Sequence, residues 1–126
     1  MDFGIGQIVS ACTLCYQIYD RCSASRGEFK SLSIQALGLH DILKTIENVW
    51  RQGSLNEEQY ISLRERVVPL LELLQTINSR LSQYNSLGTK SPKLSDKIRW
   101  AMGGGAGEMR NEMNSQLQGL IAFNTR

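Results

Sequence analysis

The stretch "EEQYISLRERVVPLLELLQTINSRLSQY", residues 57–84, decides the fold. Within it Tyr60, Leu63, Val67, Leu70, Leu74, Ile77, Leu81 and Tyr84 succeed one another at steps of three and four. A helix turns by about 100° per residue, so this spacing lines all of them along one stripe and predicts a long helix with one buried face. Pro69 lies in its middle and has no backbone N–H to give. Because the stripe continues beyond it, the expectation is a kink near residues 65–69 rather than a break. Just upstream, Ser54-Leu55-Asn56-Glu57 reads as a capping box, with the Ser54 hydroxyl facing the Glu57 amide and the Glu57 carboxylate reaching back.

Working outward, Phe29, Leu32, Ala36, Leu39, Leu43, Ile46 and Trp50 form a second stripe, and Gly53 marks where its helix ends. The opening stretch, "FGIGQIVSACTLCYQIY" from Phe3 to Tyr19, contains no charged side chain. It places Ile5, Ile8, Cys12, Cys15, Tyr19 and Cys22 on one stripe, with Val9 and Tyr16 beside it and Leu14 and Ile18 on the opposite side. A helix apolar on more than one face is usually buried among several neighbours. Downstream, residues 85–92 are turn-formers and read as a loop. Leu94, Ile98 and Met102 pattern as a short helix, and Met109, Met113, Leu117 and Leu120 as another. Between them "GGGAG" at 103–107 reads as a hinge or loop, since each glycine costs a helix about 1 kcal/mol relative to alanine. No segment alternates with period two. The expected architecture is all-α: one domain spanning 1–126, a four-helix-type bundle with a kinked third helix and a split last helix.

Composition narrows the functional classes. A chain of 126 residues, 41% hydrophobic and 21% charged, suits one globular core. A net charge of +2, with no dense basic run, argues against nucleic acid as a partner. Asp2 stands where a secretory signal would carry basic residues, and no small-x-small cleavage site follows, so a cytoplasmic protein is expected. At about 1.5 Å per residue, Phe3–Tyr19 would span roughly 25 Å of the ~30 Å hydrocarbon core, and it carries Gln7 and Gln17. It falls short as a permanent transmembrane helix and leaves open a conditional one.

Candidate chemistry is sparse. Cys12-Thr13-Leu14-Cys15 is a CxxC, but a structural zinc needs four ligands and the remaining candidates are Cys22 and distant His40. The three cysteines share one helical stripe and read as small apolar core residues. His40 is the sole histidine. A nucleophile-base pair would therefore have to join a cysteine to His40, and Asp41 beside it faces a different direction on the helix, so a partly exposed structural histidine is expected. Gly4-x-Gly6 follows no strand and lacks the third glycine of a dinucleotide fingerprint, and "GGGAG" lacks the Lys-Ser/Thr of a phosphate loop. Neither an enzyme nor a cofactor is expected. Lys90, Lys93, Lys97 and Arg99, with Trp100 adjacent, form a small basic-aromatic patch. It reads either as a solvated helix face with Trp100 turned inward or as a weak contact with anionic lipid headgroups, each cation contributing about 1 kcal/mol.

The order of several pieces carries a family resemblance: "DFGIGQIV" at the start, "CSASRGEFKSLSIQALGLHDILKTIE" opening the second helix, the long leucine-rich helix, "KLSDKIRWAM" and the closing "LQGLIAFNTR". Together they resemble, over essentially the whole chain, the N-terminal domains of fungal NLR-like (STAND) proteins of the HeLo-like type. The resemblance implies a helical bundle that executes programmed cell death, as in innate immunity and heterokaryon incompatibility, and forms the N-terminal part of a larger signalling protein. It implies activation through clustering by an upstream NLR-like or amyloid-motif protein, self-association, relocation from the cytoplasm to the plasma membrane, and membrane permeabilisation by the N-terminal helix. Carried over by position, the inserting segment is Phe3, Gly4, Ile5, Gly6, Ile8 and Val9 with the apolar residues after them. Gly4, Gly6, Ser10 and Ala11 are small enough for close helix contact in lipid. The alternative is an adaptor or oligomerisation module, in which exposed faces of the second and third helices bind a partner helix and the first helix stays in the core.

Overall fold

The computed structural model describes residues 3–24, 27–83 and 105–124. Among these residues the chain is all-helical and contains no strand: α1 spans Ile5–Cys22, α2 Glu28–Arg51, α3 Glu57–Gln83 and α4 Gly105–Asn124. Both α1 and α4 pack against α2 and against α3. The apolar stripes of the four helices therefore meet in a common interior, as expected of a bundle.

The stripes read from the sequence form that interior. Leu32, Ala36, Leu39, Leu43 and Ile46 of α2 are buried, as are Leu63, Val67, Leu70, Leu74, Ile77 and Leu81 of α3. Phe29, Trp50 and Tyr60 close the ends of these stripes as partly buried residues packed on the core. Met113, Leu120 and Phe123 supply the buried face of α4, with Leu117 partly buried beside them. A methyl group placed at Gly119 would sit 3.0 Å from Arg66 Cζ, so the bare glycine leaves room for the Arg66 side chain against α4. Ser33, buried on α2, donates its hydroxyl to the Lys30 carbonyl at 2.6 Å. That bond removes the penalty of enclosing a free hydroxyl.

Helix boundaries follow local chemistry. Gly53 adopts φ of +72°, which only glycine reaches without strain. Its N–H donates to the Trp50 carbonyl at 2.9 Å and the Ser54 N–H to the Val49 carbonyl at 3.3 Å, the paired bonds of a Schellman end. The cap of α3 lies two residues beyond the expected Ser54. Asn56 Oδ1 accepts from the Gln59 N–H at 2.8 Å, and Gln59 Oε1 accepts from the Asn56 N–H at 3.0 Å. Asparagine caps as well as serine does, and the turn at Gly53 uses Ser54 to close α2, leaving Asn56 to open α3.

Two further expectations change. The glycine-rich stretch is not wholly a hinge, because α4 begins at Gly105 and includes Ala106 and Gly107. Helix continuing through Met113, Leu117 and Leu120 outweighs the local cost of those glycines. On α1 the flanks of the stripe are exchanged. Val9 and Tyr16 are exposed, whereas Ile18 is fully buried and Leu14 packs on the core. Contact with both α2 and α3 draws the buried arc toward Ala11 and Ile18, away from Val9. α3 itself runs unbroken from Glu57 to Gln83 with Pro69 inside it. Tyr84, the loop at 85–92 and the short helix expected at Leu94–Met102 lie outside the described residues.

The position of the α3 cap is directly testable. Replacing Asn56 with alanine is expected to destabilise the domain by about 1 kcal/mol in urea denaturation, within the range for lost N-caps. Ser54→Ala is expected to change the midpoint far less.

Candidate functional site

Phe3 is the first described residue and is 93% removed from solvent, with 7% exposure remaining. It precedes α1, and its ring packs against residues from two other helix ends. Trp50, at the end of α2, has its ring centroid 5.7 Å from that of Phe3. Tyr60, in the first turn of α3, lies at the same 5.7 Å, and the two partners are 5.6 Å from each other. Both contacts with Phe3 are edge-on, the arrangement favoured by aromatic quadrupoles. The Tyr60 hydroxyl then donates to the Phe3 carbonyl at 2.6 Å. Three aromatic rings and one hydrogen bond thus clasp the start of α1 to the α2–α3 turn.

Beyond the clasp, the proposed segment divides. Ile8 is fully buried, Gly4 and Ile5 are half-buried, Gly6 is exposed, and Val9 is 37% exposed. Gly6 has open space around it, with nothing within 4 Å of where a Cβ would stand. The two glutamines that make the segment less apolar both have partners. Gln7 Oε1 accepts from the Gly4 N–H at 2.7 Å, closing the helix start from within, and Gln17 Oε1 accepts from Asn78 Nδ2 of α3 at 3.2 Å. Among the described residues, no helix is long and apolar enough to cross a membrane.

The exposed side of α1 borders a shallow groove of about 390 Å³ lined by Val9, Cys12, Thr13, Tyr16, Gln17, His40 and Lys44. Tyr16 is 52% exposed, and its ring centroid stands 5.8 Å from that of His40. The sequence reading kept His40 and Asp41 apart, but His40 Nδ1 lies 3.3 Å from Asp41 Oδ1. Adjacent side chains leaning toward each other at a helix surface achieve this without a common face. Nearby, Glu47 sits buried between Lys44 Nζ at 3.5 Å and Arg51 Nε at 3.0 Å. The hydrogen bond from Arg51, followed by the field of Lys44, holds its carboxyl below the usual range despite burial. Stability from this pairing is present at neutral pH and is lost as acid protonates Glu47.

Cys12, Cys15 and Cys22 are buried apolar residues of the core. Burial pushes the Cys12 and Cys22 thiols up to about 11, and Cys15 also upward. Among the described residues, no group of three or more His, Cys, Asp or Glu side chains is arranged to hold a metal ion. Lys90, Lys93, Lys97, Arg99 and Trp100 lie outside the described residues. The clasp was missed in the sequence because Trp50 and Tyr60 were assigned, singly, to the ends of two stripes and Phe3 to the uncharged opening stretch. No local spacing brings Phe3, Trp50 and Tyr60 together.

None of the protein-family models, curated proteins or solved structures compared with this chain matches it.

The thiols give a prediction with a defined sign. A rise from 9.0 to about 11 leaves Cys12 and Cys22 with about a hundredfold less thiolate at pH 8 than an ordinary cysteine. Labelling by a disulfide reagent is expected to be slower than in denaturant by at least that factor. Since the folded state holds these protons more tightly, the stability they lend is complete below pH 9 and declines as pH rises toward 11.

Proposed function

We propose that this chain is a membrane-active cell-death execution domain of the fungal NLR-like type, whose N-terminal helix leaves the bundle and enters membrane when copies are clustered. The observation that carries the reading is the uncharged run from Phe3 to Tyr19, which forms most of α1 yet leaves Val9 and Tyr16 facing outward. A helix used solely as a core element gains nothing from keeping its outward positions uncharged. Val9, Gly6 and Ser10 give that outward side small and apolar character, suited to contact between copies in lipid.

Because α1 alone is too short and too polar to span, the proposed mode is partial insertion by several copies together, each lying with its apolar side in the interface. An upstream NLR-like or amyloid-motif protein supplies the clustering, and the domain moves from cytoplasm to plasma membrane as it acts. Lys90, Lys93, Lys97 and Arg99 serve as a weak anchor to anionic headgroups. The bend of α3 at 65–69 and the division of the last helix near 103 belong to the same proposal, since a jointed bundle parts from α1 more readily than a rigid one.

A second reading is favoured by one observation. Ile34 on α2 is 61% exposed, and Ile61 and Val68 on α3, seven residues apart on one side, are exposed too. These positions suit an adaptor that binds a partner helix while α1 stays in place.

Gly6 separates the two. It is exposed and uncrowded at the start of α1, where a glycine weakens the helix and an acidic side chain favours it. Gly6→Glu is therefore expected to raise stability by about 1 kcal/mol. The same change is expected to abolish dye release from anionic liposomes when the domain is clustered by a fused oligomeriser. Gly6→Ala, comparably stabilised but uncharged, is expected to retain release. Equal leakage from both variants would remove the front of α1 from the inserting segment, and no leakage from the unmodified clustered domain would favour the adaptor.

A further inference from the structure

The first turn of α1 is held differently from the rest of the helix. Ile5 is half-buried and Gly6 is exposed with open space beside it, so the core grips α1 firmly from Ile8 onward. The helix start has no acidic side chain in its first turn, and Gly4 offers no side chain as a cap. Gln7 caps it from within the same helix, which shapes the turn but does not fasten it to anything else. A bond between α1 and α3, from Asn78 to Gln17, lies about three turns further along.

What fastens the start is the clasp. Phe3 packs edge-on against Trp50 and Tyr60, which also touch each other, and the Tyr60 hydroxyl closes on the Phe3 carbonyl. Its two receiving residues flank the turn made by Gly53 and capped by Asn56, whose backbone is held by hydrogen bonds that do not involve Phe3. A rigid receiver and a weakly held arm make a latch: the arm opens without unfolding what it docks on. We infer that the Phe3–Trp50–Tyr60 clasp is a local latch, closed by the Tyr60 hydroxyl, that sets how often the first turns of α1 leave the bundle while the other helices stay folded.

The latch deepens the proposed release of the N-terminal segment and rests on that reading for its purpose, but its operation is measured without membrane. Tyr60→Phe removes the hydroxyl and keeps the ring. Loss of one such hydrogen bond corresponds to about a fivefold increase in the open population. Residue-resolved amide exchange of the lipid-free protein is expected to quicken by about that factor at residues 8–12, with the amides of Ala36–Leu43 and Leu70–Ile77 unchanged. Phe3→Leu, which keeps an apolar side chain but loses the ring contacts, is expected to produce the same local pattern. A uniform increase across α1, α2 and α3 would make the clasp an ordinary contribution to global stability and overturn the latch. Unchanged exchange at residues 8–12 in both variants would overturn it as well. Liposome leakage is a separate readout, so failure of release and failure of the latch are distinguishable.

Discussion

The bundle depends on burying one wide arc of α1 against two helices at once. Ile8, Ala11, Cys12, Cys15, Ile18 and Cys22 all lose their solvent contact there, and the stripes of α2 and α3 have no other described occupant for the space between them on that side. Burial of apolar area is the main favourable term in such a fold, at about 25 cal/mol for each Å². It is also non-directional, and so the same surface is satisfied by protein or by the apolar part of a lipid layer. That indifference is the physical basis on which a core helix is proposed to serve a second use.

The stability of the closed state is spread unevenly along α1. From Ile8 to Cys22 it rests on close packing, which resists small changes because interiors have few voids. At the front it rests on three rings and a hydroxyl from separate parts of the chain. The two regions fail in different ways. Damage to the packed arc costs the whole domain, as large-to-small changes in cores do. Damage to the clasp acts on the front of one helix. The polar residues within α1 fit this division, with Gln7 closing the helix start and Gln17 meeting Asn78 near the helix end.

Much of this was legible in the sequence. The stripe of α2, and that of α3 from Tyr60 to Leu81, survive residue by residue, because the step of three and four reports burial on a helix whatever its neighbours are. Gly53 was legible for a similar reason, since a positive φ is a local demand. Other features required the third dimension. The choice between Ser54 and Asn56 as the cap turned on which of two overlapping patterns the preceding turn left available. Val9 and Ile18 exchanged roles because their surroundings depend on where two partners lie, and the periodicity of α1 alone fixes no such direction. The clasp, which joins residues 57 positions apart, leaves no periodic trace at all.

The claim that one helix is both core and effector is tested most directly by measuring where the front of α1 stands before and after clustering. Dyes placed at the exposed positions Ser10 and Glu58 report the separation of α1 from the start of α3 by energy transfer. The account predicts high transfer in the lipid-free monomer and a marked loss when the domain is clustered on anionic liposomes, with helical content retained. High transfer that persists under clustering, at a lipid concentration where the protein is bound, would contradict it.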